Sequence, residues 1–172
     1  MARFSDPAPL APDHNTEDFD CGVESLNLWL KKHAIHARAI GSARTFVVSD
    51  IQQQRVVGYY ALTAASITHE EATPRAAKGM PRHPVPAALL ARLAIHNSVQ
   101  GHGLGAWLLL DAMLRTMTAA ESVGIRVLLV HALDETARRF YAHHGFEASP
   151  TDPRNLQMLM KDIRAAAQAA RS

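Results

Sequence analysis

The sequence predicts a mixed α+β fold (α/β in its second half), with a central mixed, twisted sheet flanked by helices. One observation is the order of predicted elements: a helix, two antiparallel strands, and then strand, helix, strand, helix, strand. The other is a glycine-spaced turn between a strand and a helix, which is typical of a crossover unit. With 172 residues, 48% of them hydrophobic, the chain is long enough for one domain with a core. We therefore expect a single domain over residues 1–172, with an irregular segment at 1–18 and a tail at 165–172.

The first half is predicted to form one helix and an antiparallel pair of strands. Apolar residues recur at helical spacing from Val23, and Gly41 is a natural stop for the helix. Aromatic and β-branched residues at 45–48 and in Arg55–Ile67 predict two strands joined by a turn. The predicted helical face consists of Leu26, Trp29, Leu30, His33, Ala34 and Ala37.

The second half is predicted to alternate strands and helices. The proline-rich stretch 72–88 is expected to be a loop with a short helix, followed by a strand at about 89–95. Asp134 is a suitable N-cap for a later helix, and Gly145 ends that helix. The elements predicted after the glycine turn are a helix at 103–122, a buried parallel strand at 125–130, a helix at 135–144 and a last strand at 156–160.

Composition bears on location and on metal chemistry. No apolar run approaches the roughly 20 residues that a membrane helix needs, and the first residues lack the apolar region of a signal peptide. The single cysteine, Cys21, cannot form an internal disulfide, which fits a reducing compartment. The sequence contains no His-Glu-x-x-His pattern, and a single cysteine is too few for the usual thiolate zinc sites. The ten histidines therefore belong to no recognised zinc motif. We therefore expect a cytoplasmic protein that needs no metal and binds no membrane.

Charged residues are strongly segregated, although the formal net charge is only +2. Six acids precede Leu28, whereas the stretches 31–49 and 72–110 contain bases and no acid. The ordinary interpretation is a solvated face, and the alternative is a surface that binds a polyanion. The bases of the two stretches are Lys31, Lys32, Arg38 and Arg44, and Arg75, Lys78, Arg82 and Arg92.

The turn from Gln100 to Gly105 is the most informative feature of the chain. Its three glycines alternate with other residues immediately before a leucine-rich helix. Glycines let a ligand approach the backbone, and a helix start contributes N–H groups and the positive end of the dipole. The pattern predicts a cradle for an anion, most often a pyrophosphate; the alternative is a tight structural turn.

The same turn has two nucleotide-binding interpretations. The spacing also fits the dinucleotide fingerprint, but only about forty residues follow Asp134, too few for a complete nucleotide-binding sheet. The lysine of a P-loop is missing, so the turn gives no support for nucleoside triphosphate binding.

The glycine turn resembles the Gln/Arg-x-x-Gly-x-Gly/Ala motif of the GCN5-related N-acetyltransferases (GNAT), with Gln100 at its first position. The resemblance implies that the loop amides hold the pyrophosphate of acetyl-coenzyme A, the cosubstrate, and that the preceding strand pairs with its pantetheine arm. The residues implied for the cosubstrate are Leu93, Ala94, Ile95, Gln100, Gly101, His102, Gly103, Leu104, Gly105, Asp134 and Phe140.

A second motif, Phe140-Tyr141 followed by Gly145-Phe146, is similar to the segment that closes the cosubstrate site in this family. The tyrosine there often protonates the departing thiolate, so the resemblance implies that Tyr141 is the general acid. A phenol suits this task because its pKa near 10 keeps it protonated at neutral pH. Judged without the glycine turn, packing of a helix against the sheet is the competing interpretation of Tyr141.

A narrower resemblance covers about residues 19–161 and points to the toxin acetyltransferases of bacterial toxin–antitoxin pairs, the TacT and AtaT type. It implies acetylation of the α-amine of the amino acid on charged tRNA, a homodimer, and neutralisation by a ribbon-helix-helix antitoxin. The matching segments are Phe19-Asp20-Cys21-Gly22, Gly58-Tyr59-Tyr60-Ala61-Leu62 and Arg92-Leu93-Ala94-Ile95. The candidate tRNA-binding residues are Lys31, Lys32, Arg38, Arg75, Lys78, Arg82 and Arg92.

Two residues depart from the family pattern. His96 stands where many relatives have an acid, and Asp134 stands where many have an asparagine that touches the cosubstrate. Two other functions stay open at this point: acetylation of a small-molecule or protein amine, and a non-catalytic module that binds coenzyme A or nucleic acid.

Overall fold

The computed structural model describes residues 3–171, except the side chain of Arg171, and contains one seven-stranded mixed sheet in that range. The strands are β1 (Ala8–Pro9), β2 (Arg44–Asp50), β3 (Arg55–Ile67), β4 (Val85–Ile95), β5 (Val127–His131), β6 (Glu147–Ser149) and β7 (Asp152–Leu159). The helices are α1 (Glu24–Leu28), α2 (Ala34–Ile40), α3 (Pro74–Ala77), α4 (Leu104–Ala120), α5 (Glu135–His143) and α6 (Met160–Arg171). The strand order is β1-β2-β3-β4-β5-β7-β6, which confirms the predicted mixed sheet with helices.

The described residues form two compact units, each with its own apolar core. The first unit comprises the residues up to Thr63 together with Ala91–Ala112. The second comprises Ala64–Leu90 together with the residues from Met113 onward.

In the first unit, β1, β2 and β3 pair antiparallel, as the predicted meander requires. Gly58 lies in β3 at a point of close packing, because a Cβ there would stand 3.0 Å from Ile95 Cδ1 and 3.1 Å from Leu108 Cδ1. The helix α4 therefore packs closely over this strand. The core beside the N-terminal helix consists of Leu10, Phe19, Leu30, Ala34, Val47, Val56, Tyr59 and Ala94.

The predicted N-terminal helix is present, but it contains a π-helical turn. The turn Trp29–His33 joins α1 to α2, and Gly41 ends α2 in the left-handed conformation with φ of 77°. A π turn inserts extra backbone into a helix and rotates the faces on either side of it. His33, predicted to belong to the buried face, is exposed for this reason, whereas Leu30 and Ala34 are buried.

In the second unit, β4 and β5 form the predicted parallel pair. Their rungs run from Ala87–Val127 to Leu90–Val130, and β4 then continues for five residues to Ile95. The strand β7 pairs antiparallel with β5 and β6. The core consists of Ile67, Ala72, Ala76, Val85, Ala87, Val127, Leu129 and Leu159.

Several boundaries differ from the sequence prediction. The last strand, β7, begins at Asp152 rather than at residue 156. The strand β4 begins at Val85, not near residue 89, although Pro86 lies within it; the Pro86 carbonyl still accepts a hydrogen bond from the Arg126 N–H. The short edge strands β1 and β6 were not predicted, since two and three residues are too few for a period to show. The predicted tail is part of α6, which starts at Met160; Ser172 and the first two residues of the N-terminal segment lie outside the described range. No described helix has the length and hydropathy to span a bilayer.

Candidate active site

The glycine turn and the start of α4 form an open backbone surface in the first unit. Gly101 and Gly103 have φ of 81° and 80°, a conformation that favours glycine. A Cβ at either position would have no neighbour within 4 Å among the described residues. The Trp107 N–H is bonded to the Gly103 carbonyl, so the N–H groups of the three residues before it precede the first bond of the helix. Open space above two glycines and N–H groups at a helix start suit an anion.

The exposed Gln100 side chain ties this turn to neighbouring segments of the first unit. Its Nε2 donates to the Ile95 carbonyl at 2.9 Å, the Cys21 carbonyl at 3.2 Å and Asn97 Oδ1 at 3.3 Å. The amide thus ties the turn to the end of β4 and to the segment before α1. Because these three bonds use the amide nitrogen, the side chain acts here as a positioning group.

The segment Asp20–Gly22 is closed by a small hydrogen-bond network that the sequence did not reveal. The buried Asn27 accepts from the Cys21 N–H at 2.9 Å and donates to Asp20 Oδ1 at 3.0 Å. The Gly22 N–H also donates to Asp20 Oδ1, and these bonds lower the pKa of the Asp20 carboxyl. Burial raises the pKa of the Cys21 thiol, so Cys21 has no sign of an activated nucleophile. An Asp-x-Gly turn before a helix was the available signal.

His96 has a structural role that explains its departure from the family pattern. Its Nδ1 lies 3.0 Å from the Ser98 N–H, which donates to it, and its Nε2 lies 3.0 Å from the Asp18 carbonyl. Because the Ser98 N–H donates to Nδ1, the tautomer consistent with both contacts has Nε2 donating to the Asp18 carbonyl. His96 thereby links the N-terminal segment to the short 3-10 turn that precedes the glycine turn.

Tyr141 is buried in the second unit and packs among aromatic rings. Its ring meets Phe140 at 5.2 Å and Phe146 at 5.6 Å, both edge to face. No described residue forms a hydrogen bond with its hydroxyl, and burial raises its pKa well above the usual range. The phenol is therefore a protonated donor at neutral pH, with a hydroxyl left for a ligand.

Asp134 and Phe140 are engaged at the two ends of α5. Asp134 caps the helix, because its carboxylate accepts the Ala137 N–H at 2.8 Å. The Phe140 ring contacts His144 as well as Tyr141. One oxygen of the Asp134 carboxylate is thus used by the helix cap.

The basic candidates of the first unit differ in their surroundings. The Arg92 guanidinium lies 4.2 Å from the centre of the Trp29 ring, and that ring stacks on Tyr59. Lys31 and Lys32 follow Trp29 in the π turn and are exposed. Arg38 donates to the Leu10 carbonyl at 2.7 Å, which ties the N-terminal segment to α2.

The basic candidates of the second unit also differ in their surroundings. Arg75 pairs with Glu147 at 2.6 Å and with Asp162 at 2.9 Å, so its charge is balanced within the protein. Lys78 and Arg82 are exposed. Arg126, which the sequence did not single out, donates to the carbonyls of Ala76 and Lys78 and so closes the end of α3.

The structure places the predicted site residues in both units. The residues of β4 and the glycine turn belong to the first unit, with Lys31, Lys32, Arg38 and Arg92. Tyr141, Phe140 and Asp134 belong to the second unit, with Arg75, Lys78 and Arg82. No group of three His, Cys, Asp or Glu side chains within the described range is arranged to hold a metal ion.

The chain is similar to several known toxins in sequence and in structure. A "tRNA-acetylating toxin" of Mycobacterium tuberculosis is 45% identical over 165 residues, covering 96% of this chain and 98% of the relative. The solved structure of AtaT with acetyl-methionyl-tRNAfMet superimposes with a TM-score of 0.86 at 30% identity, covering 94% and 98% of the two chains. A tyrosine-to-phenylalanine mutant of AtaT was solved with the C-terminus of the antitoxin AtaR and acetyl-CoA. It superimposes with a TM-score of 0.81 at 29% identity, covering 95% of this chain and 98% of the mutant.

The family profile of the acetyltransferase (GNAT) domain matches residues 41–148. This range contains both the glycine turn and the Tyr141 segment. The profile match, the relative at 45% identity and the geometry of the turn agree. The chain belongs to the GNAT family of acetyltransferases.

Proposed function

We propose that this protein is a toxin that transfers an acetyl group from acetyl-CoA to the α-amine of the amino acid on charged tRNA and thereby blocks translation. The observation that carries the proposal is the 45% identity to a tRNA-acetylating toxin, which extends over nearly the whole of both chains. The likeness to AtaT, solved with an acetylated aminoacyl-tRNA, supports the same substrate class. Because these relatives cover both units, we also propose that residues 1–172 act as one N-acetyltransferase domain.

The first unit offers a fitting place for acetyl-CoA. The open backbone at Gly101 and Gly103 and the start of α4 suit the pyrophosphate. Beyond its last rung with β5, β4 continues over residues 91–95, and this backbone suits the amides of the pantetheine arm. In this assignment Gln100 acts by positioning the turn and Asp134 by capping α5, while Leu93–Ile95, His102, Leu104, Gly105 and Phe140 contribute backbone or packing.

The chemistry needs a positioned amine and a proton for sulfur. The thioester supplies an activated acetyl carbon; a C–N bond forms to it and the C–S bond breaks. We assign Tyr141 as the donor of the proton that the sulfur takes up, since its buried hydroxyl is held protonated. The proton lost by the nitrogen returns to the phenol through solvent. A neutral amine reacts without a strong base, so positioning supplies much of the acceleration.

The partners follow from the same assignment. We propose that seven bases contact tRNA phosphates, with Arg75 the weakest candidate because of its two carboxylate partners. They are Lys31, Lys32, Arg38, Arg75, Lys78, Arg82 and Arg92. We further propose a ribbon-helix-helix antitoxin as the neutralising partner and a homodimer as the active form. A charged tRNA substrate places the activity in the cytoplasm.

The test is to incubate the protein with acetyl-CoA and charged tRNA and to detect N-acetyl-aminoacyl-tRNA by mass spectrometry. Tyr141→Phe should lower kcat by about 10² to 10⁴, the usual contribution of a general acid, with little change in acetyl-CoA affinity or melting temperature. Acetylation of polyamines but not of charged tRNA would replace the proposed substrate. A Tyr141→Phe variant with the wild-type rate would remove Tyr141 from the mechanism.

A further inference from the structure

Arg92 lies against a pair of stacked aromatic rings within the first unit. The Tyr59 ring is fully buried, and its hydroxyl donates to the Leu26 carbonyl at 2.7 Å. The Trp29 ring stacks on Tyr59 at an interplanar angle of 11°, with centroids 6.0 Å apart. The Arg92 guanidinium lies over the Trp29 ring, 4.2 Å from its centroid. An aromatic face fixes the plane of a guanidinium without using its N–H donors.

The donors of Arg92 have no acceptor in the part of the chain that the structure describes. No described residue forms a hydrogen bond or an ion pair with this guanidinium, although Arg92 is half-buried. Burial lowers its pKa, which reflects the cost of a partly desolvated charge. Five N–H donors in a fixed plane match the oxygens of a phosphate, and the fork geometry favours two-point binding.

The position of Arg92 indicates which phosphate it meets. Arg92 lies two residues before Ala94, about 7 Å along β4 at the usual rise, and on the same face of the strand. That face packs against the N-terminal helix, since Ala94 shares its core with Leu30 and Tyr59. The glycine turn, which we assign to the pyrophosphate, comes later in the chain. Lys31 and Lys32 follow Trp29 in the same π turn and are exposed.

We propose that the Arg92–Trp29–Tyr59 stack is a binding site for a backbone phosphate at the acceptor end of the charged tRNA. This inference rests on the proposed function and names the residue that positions the substrate's reacting end. The terminal phosphodiester belongs to the same nucleotide as the ribose that carries the amino acid. Binding it beside Ala94 brings the α-amine to the strand that presents the thioester.

The experiment compares Arg92→Ala with Arg164→Ala, which removes the same charge from an exposed position on α6. Fluorescence anisotropy measures binding of an uncharged tRNA and of the same tRNA trimmed of its 3′-terminal CCA. We expect Arg92→Ala to weaken binding of intact tRNA about tenfold, the scale of a charged hydrogen bond, and to leave the trimmed tRNA unaffected. The slope of log affinity against log salt should fall by about 0.7, the value for one phosphate contact on a single strand such as the CCA end.

Arg92→Lys provides the second variant, because it keeps the charge and the aliphatic stem over Trp29 but loses the planar fork. An affinity for intact tRNA between those of the wild type and Arg92→Ala is expected. Equal losses in Arg92→Ala and Arg164→Ala, or equal effects on intact and trimmed tRNA, overturn the proposal. A loss of acetyl-CoA affinity by calorimetry assigns Arg92 to the cosubstrate instead. A wild-type protein that binds no tRNA overturns the proposed function as well, whereas normal acetylation and tRNA binding by Arg92→Ala overturn this inference alone.

Discussion

At the scale of single residues, the segment before α1 depends on backbone conformation as much as on side chains. Gly22 has φ of 89°, and a Cβ there would stand 3.3 Å from Asn97 Oδ1. That oxygen also accepts from Gln100 Nε2, so crowding at Gly22 is transmitted to the residue that holds the glycine turn. A glycine far from the turn in sequence thus supports the geometry of the turn.

We predict that Gly22→Ala lowers the free energy of unfolding by about 1–3 kcal/mol, since a left-handed alanine is strained and presses on Asn97. The matched control is Gly41→Ala, which has φ of 77° but no neighbour within 4 Å among the described residues. Urea unfolding should show the larger loss for Gly22→Ala, and calorimetry should show weaker acetyl-CoA binding for this variant alone. Equal losses and equal cosubstrate affinities would show that the contact with Asn97 has no effect.

At the scale of elements, α5 carries Tyr141, the proposed general acid, and the start of this helix is fixed by one side chain. Asp134 accepts the Ala137 N–H, and Glu135 in the first turn pairs with Arg138. The sequence indicated the cap, but it left open a contact between Asp134 and the cosubstrate. The hydrogen bond from the Ala137 N–H shows that Asp134 caps the helix. Two substitutions of Asp134 separate capping from binding of the cosubstrate.

Asp134→Ala should cost about 0.5–2 kcal/mol of unfolding free energy, the usual loss of an N-cap. The unfolding free energy of Asp134→Asn should stay within a few tenths of a kcal/mol of the wild-type value, because asparagine caps helices about as well as aspartate. Thermal or urea unfolding measures both, and steady-state kinetics give KM for acetyl-CoA. A raised KM in Asp134→Ala with unchanged stability would instead show that Asp134 binds the cosubstrate.

At the scale of the whole molecule, several carboxylates are stabilised in the folded state and link stability to pH. Backbone N–H donors lower the pKa of Asp20, Asp50 and Glu71, and the Arg138 guanidinium lowers the pKa of Glu135 to about 2. The unfolded chain therefore takes up protons before the folded protein does. The stabilisation is complete above the ordinary carboxyl pKa of about 4 and is lost as the pH falls through the lowered values.

We predict a urea midpoint that changes little between pH 6 and 8 and falls steadily below about pH 4.5. Asp50→Asn should flatten this fall, since the buried Asp50 accepts the Gln52 and Gln53 N–H groups and pairs with Arg3. The exposed Asp13→Asn serves as the control and should keep the wild-type pH dependence. If the urea midpoints of Asp50→Asn and the wild type fall in parallel as the pH is lowered, Asp50 does not contribute to the pH dependence of stability.

The sequence by itself determined the order of elements and the motifs of the site. Hydrophobic period, glycine stops and β-branched runs predicted the long elements, because these signals are local. They did not predict β1, β6 or the start of β4, whose pairing depends on distant strands. The glycine turn and the Tyr141 segment indicated the family, because each motif consists of residues that are adjacent in sequence.

Only the tertiary structure decided what the side chains do. Arg75 and Arg92 look alike in sequence, but one meets two carboxylates and the other an aromatic platform. Gln100 belongs to a motif, yet its amide bonds to Cys21, 79 residues earlier. Hydrogen bonds and charge pairs act over a few ångströms, and only folding brings residues so far apart in sequence within that range.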